Sequence, residues 1–110
     1  MERGILLQKT FNLKSSSLQT ELDAFTRQLS ERMKQYQVSE YVGLRRMKSD
    51  DLMEIIVIPC KEGTQGLAVS QSQLAELQSQ GFEAATFKNA QEVGQYATSQ
   101  MEPLGIRFGQ

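Results

Sequence analysis

The 110-residue sequence predicts an α+β fold: a mixed or antiparallel sheet of four to five strands with helices mainly on one face. Three observations carry this expectation. Residues 4–13 alternate, with Ile5, Leu7, Phe11 and Leu13 on one side, Lys9 interrupting them, and Leu6, Gln8, Thr10 and Asn12 on the other. Leu18, Leu22, Phe25, Leu29, Met33 and Tyr36 recur at steps of three and four, the stripe of an amphipathic helix over about 17–36. Residues 52–58 are apolar on both faces and stop at Pro59, the pattern of a central strand covered from both sides.

The elements follow in order. After the first strand, Ser15, Ser16 and Ser17 offer helix-capping oxygens, and Ser16 with Gln19 matches a capping box. Residues 40–48 form a second strand of mixed faces, and Ser49-Asp50-Asp51 is a hairpin turn into the apolar strand. Residues 61–68, with Gly63 and Gly66, are a loop. Ser70 or Ser72 caps a short helix carrying Leu74 and Leu77 and stopped at Gly81. Residues 82–87 are a short strand. Asn89 caps a last helix with Ala90, Val93, Ala97 and Met101 on one face, and Ile106-Arg107-Phe108 is a final edge strand. The order is β-α-β-β-α-β-α-β, whose first six elements match the split βαβ, or ferredoxin-like, core with a C-terminal αβ extension. The whole sequence, 1–110, is expected as a single domain.

Composition narrows the chemistry. Net charge is −1, so the molecule as a whole does not attract nucleic acid or anionic membrane. No histidine means no Ser-His or Cys-His pair and no imidazole ligand. The one cysteine, Cys60, precludes an intramolecular disulfide and a cysteine-rich zinc site. With no signal-peptide h-region and no bilayer-length apolar run in the sequence, a cytoplasmic location without membrane contact is expected. The residue inventory points away from catalysis, and no cofactor is expected.

Several residue groups remain as candidates. Asp50, Asp51 and Glu54 are clustered carboxylates of the kind that hold a divalent metal; a hairpin turn plus one solvent-facing glutamate is the simpler explanation, since Asp is a preferred turn residue. Arg45, Arg46 and Lys48, beside Tyr41, suggest phosphate binding with an aromatic for base stacking, or a charged edge strand that resists aggregation. Cys60 lies at a strand end, where Lys61 would lower its thiol pKa if the site were reactive. The glycines of 61–66 lack the spacing of a phosphate loop. The helical stripe is core, or else a dimer surface.

One local likeness bears on these candidates. Residues 67–84, continuing through 89–93, resemble the C-terminal part of small restriction-endonuclease-like domains of the virus-type replication-repair nuclease kind, in a pattern of caps and apolar positions. In that family the catalytic strand ends in an acid, any residue, then lysine. Here the run is Ile58-Pro59-Cys60-Lys61, with Pro59 at the acid's place, so Lys61 and Asp51 alone carry over. The resemblance implies a restriction-endonuclease-like alternative for the fold and a degenerate nuclease scaffold without the activity.

The expected function is therefore a small non-catalytic accessory or regulatory protein of bacterial or phage type. It would act through a protein–protein surface, on a protein partner or as a homodimer. The alternatives are a nucleic-acid-associated domain using Arg45, Arg46, Lys48 and Lys61, and a metal-dependent nuclease or hydrolase using Asp50, Asp51 and Glu54.

Overall fold

The computed structural model describes residues 2–38, 40–62 and 65–101. Its elements are β1 (Arg3–Asn12), α1 (Leu18–Gln35), β2 (Glu40–Met47), β3 (Leu52–Glu62), β4 (Gln65–Gly66), β5 (Ala68–Val69), α2 (Gln71–Ser79), β6 (Glu83–Phe87) and α3 (Ala90–Met101). This is an α+β fold, and every described strand pair is antiparallel. β1 pairs with β3 and with β6, and β2 pairs with β3, so the four long strands run β2-β3-β1-β6. That is the strand order of a split βαβ unit.

The apolar pattern explains the layering. Ile5, Leu7 and Phe11 of β1, with Met53 and Val57 of β3, point to one face. There they meet Phe25, Leu29 and Met33 of α1, Leu74 and Leu77 of α2, and Phe82. Phe25 holds this layer together, with ring centroids 5.6 Å from Phe11 and 5.7 Å from Phe82. Leu18, Leu22 and Tyr36 pack at its margin, so the whole α1 stripe is core. Leu6, Ile56, Ile58 and Cys60 point to the opposite face and are buried under Val93 and Ala97 of α3. Two helices cover one face and one covers the other, which is why β3 is apolar on both sides.

α3 lies close to the sheet because two glycines let it. A Cβ on Gly4 would fall 2.3 Å from the Asn89 carbonyl oxygen, and one on Gly66 would fall 2.6 Å from Val93 Cγ1. Val93 is fully buried in that seat. Asn89 starts the helix, its Oδ1 accepting from the Glu92 amide at 2.9 Å.

Several expectations are corrected. Pro59 does not end β3, which runs on to Glu62. In the β1–β3 ladder Leu13 N–H donates to Asp51, so odd residues of β3 face β1, and pairing stops at Leu7–Val57. Pro59 is the next odd position, where a missing N–H costs no ladder bond. There β1 and β3 part, and β4 and β5 fill the wedge, with Ile5 N–H donating to Leu67. The expected loop 61–68 is thus largely strand in its described residues. Leu13 lies beyond β1 and is exposed. The Ser16–Gln19 capping box does not form. Ser17 is the N-cap, and the Ser15 and Ser17 hydroxyls both donate to Glu21 at 2.8 Å. A full capping box instead opens α2, between Ser70 and Gln73. The expected strand 106–108 lies outside the described residues.

Candidate functional site

Among the described residues, β2 is an edge strand with an exposed face. It is eight residues long, and its register against β3 runs from Glu40–Cys60 to Met47–Met53 without a bulge. Lys48 N–H donates to Leu52 O at 2.9 Å, so even-numbered residues of β2 turn their backbone groups towards β3. The odd residues Tyr41, Gly43, Arg45 and Met47 turn theirs outward, and among the described residues nothing pairs with that edge. Their side chains share the α1 side of the sheet, but α1 lies over β1 and β3 and does not reach them. Tyr41 is 54% exposed and Met47 52%. A Cβ on Gly43 would meet nothing within 4 Å. Val42 and Leu44 point to the other face and pack at the margin of the α3 core.

The four basic candidates are not brought together. Arg45 is exposed on the α1 side, and Arg46 points to the opposite face. Arg46 Nη2 donates to Glu54, directly across the strand pair, and Lys48 Nζ lies 3.9 Å from the same carboxylate. Lys61 sits seven residues along β3 from Glu54, about 23 Å away at strand rise, with its amine donating to Tyr36 O at 3.1 Å.

The carboxylates are also separated. Glu54, expected to face solvent, is 4% exposed and held by Arg46 and Lys48. Asp51 pairs with Lys14 at 3.4 Å, and Asp50 is exposed in the turn. That turn is shaped by Ser49, whose hydroxyl accepts from Leu52 N–H. Among the described residues no three acids or cysteines gather around a common point. Cys60 is buried, and burial pushes its thiol pKa up, with Glu40 adding to the rise. The Lys61 amine is held instead at Tyr36 O, to which it donates at 3.1 Å.

A cleft of about 400 Å³ opens at the far end of the sheet. It lies between the C-terminus of α1 (Tyr36, Gln37), Lys61 and β4–β5. Burial, then the nearby Glu76, push the Tyr36 phenol up, while Arg32 opposes them. Its wall includes Gln37, which closes α1 at φ 57°. Among the described residues no helix is long and apolar enough to cross a membrane.

The sequence reading missed the cleft, because it joins segments distant in the chain. It also passed over Gly43, a glycine inside a strand, above which the structure leaves open space. Comparison with known protein families, curated proteins and solved structures finds no match.

Proposed function

We propose that this chain is a small non-catalytic accessory or regulatory protein that engages a protein partner by strand addition to β2. The observation that carries this is the open edge of an eight-residue strand whose α1-side face is bare at Tyr41, Gly43 and Met47. Long exposed edges are normally blunted by bulges, prolines, shortness or charge; β2 has no bulge or proline, and its charges, Glu40, Arg45 and Arg46, are of both signs, so they select a complementary strand rather than exclude every one. Outward N–H and C=O groups supply affinity in strand addition, and alternate side chains supply selectivity. Two further features support the non-catalytic part. Glu54 and Asp51 are engaged by Arg46 and Lys14, and the Cys60 thiol is buried and raised in pKa.

The test places a photoreactive phenylalanine analogue at Tyr41, with Gln91 on the exposed side of α3 as the control site. Irradiation in host cells is expected to give protein adducts from position 41 that position 91 does not give. Nucleic acid in the position-41 adducts, or identical adducts from both sites, would refute the proposal.

A further inference from the structure

The β2 edge is complementary to itself, and we infer that the strand it accepts is β2 of a second copy of this chain. This rests on the strand-addition reading above and names its partner. A two-fold axis normal to the sheet makes the two β2 strands antiparallel and places residues of the same face opposite one another. With the axis through Gly43, Glu40 meets Arg46 of the other copy on one face, and Val42 meets Leu44 beside them. On the other face Tyr41 meets Arg45, a cation over an aromatic ring. Each pair occurs twice, so every charged or aromatic residue from 40 to 46 finds an opposite number.

Of the neighbouring registers, centring on Leu44 brings Glu40 to Lys48 but sets Arg46 against Val42 and Arg45 against Gly43, leaving both arginines without a partner, and centring on Arg45 sets two arginines directly opposite, which is repulsive. The backbone agrees with the Gly43 centre, because Tyr41, Gly43 and Arg45 all turn N–H and C=O outward. The pairs 43–43, 41–45 and 45–41 then each exchange two backbone hydrogen bonds. The helices also permit it. α1 covers β1 and β3, so strand spacing leaves the two copies of α1 about 19 Å apart, wider than a helix of about 10 Å. α3 sits farther out, over β1 and β4.

Sedimentation velocity and bismaleimide cross-linking test this on the full chain. The wild type is expected to sediment as a dimer at tens of micromolar, at twice the protomer mass. Gly43→Pro removes an outward N–H without touching a β2–β3 bond, and Glu40→Arg opposes Arg46; both are expected to sediment as folded monomers. Gly43→Cys is expected to cross-link as a dimer with a short bismaleimide, since opposed Cα atoms of a hydrogen-bonded pair lie about 5.5 Å apart, with the Cβ atoms too far apart for a direct disulfide. Wild type, with Cys60 buried, is the control. A dimer that survives both Gly43→Pro and Glu40→Arg overturns the inference, as does a Gly43→Cys variant that fails to cross-link. A monomeric wild type whose position-41 probe still captures a different protein overturns self-pairing and leaves strand addition standing. A monomer that captures no protein overturns both.

Discussion

Substituting Gly66 tests how α3 is seated. In Gly66→Ala the new Cβ falls 2.6 Å from Val93 Cγ1 and 3.0 Å from Val93 Cβ. Carbon atoms pack best at about 3.5–4.0 Å, so the helix or β4 must shift by roughly an ångström. Overpacking of this degree costs about 1–3 kcal/mol. Val93→Ala alone removes two buried methyl groups, about 1.6 kcal/mol of transfer plus a small cavity, partly offset by alanine's better helix propensity of about 0.5 kcal/mol. Combining the two takes away the 2.6 Å contact and puts the new Cβ into the space vacated. The double variant is therefore expected to be more stable than the sum of the singles predicts, by about 1–2 kcal/mol. Urea unfolding of all four proteins, with a common m-value, measures this coupling. Gly4→Ala supplies the contrast. Its Cβ would strike Val93 Cγ2 at 2.4 Å, which truncating Val93 removes, but also the Asn89 carbonyl oxygen at 2.3 Å, which is backbone and stays, so the rescue there is expected to be incomplete. Additivity of Gly66→Ala and Val93→Ala within about 0.5 kcal/mol would show that α3 does not rest on β4 as described.

Three other predictions concern helix ends and charges. Gln37 ends α1 in the left-handed region, with Val38 N–H donating to Met33 O and Gln37 N–H to Lys34 O, the same arrangement that Gly81 makes for α2. Gln37→Gly should raise stability by roughly 0.5–1 kcal/mol and Gly81→Ala lower it by a similar amount; a loss in the first variant by thermal unfolding would contradict the cap. Arg46→Ala leaves Glu54 buried beside Lys48 alone and should cost about 1–3 kcal/mol, with Glu54→Gln recovering part of it; equal stability of Arg46→Ala and wild type in urea would dismiss the pair. Hydroxyl donation from Ser15, then Ser17, holds the Glu21 carboxyl below its ordinary value, aided by Lys9. Its contribution is present above the unfolded-state value and is lost as pH falls through the lowered one, so Ser15→Ala/Ser17→Ala should raise the Glu21 midpoint in an NMR pH titration, and an unmoved midpoint would count against the cluster.

The parts of the fold legible in the sequence were those whose periodicity reports burial directly. The α1 stripe, the alternation of β1 and the doubly apolar β3 each name their partners, because a side chain's direction is set by helix or strand period. What escaped was decided between segments. Pro59 reads as a strand end, since proline lacks a donor. It is harmless in β3 because β1 diverges there, and no local pattern carries that divergence. Ser16 with Gln19 has the letters of a capping box, yet Glu21 draws the Ser15 and Ser17 hydroxyls to itself. Glu54 looked solvent-facing because strand alternation does not show that Arg46 closes over it from the neighbouring strand.

The candidate surface was half visible for the same reason. The basic run of β2 reads as one patch along the chain, but strand alternation sends Arg45 and Arg46 to opposite faces. A patch that binds phosphate needs its cations on one side, whereas a strand that pairs with its own copy needs complementary groups on each side. β2 carries Tyr41 and Arg45 on one face, and Glu40 and Arg46 on the other, each set evenly about Gly43. Alternation breaks up the basic patch, and the same alternation makes the strand self-complementary. The glycine at the centre leaves the α1 face clear at the two-fold axis, where two opposed side chains would otherwise meet.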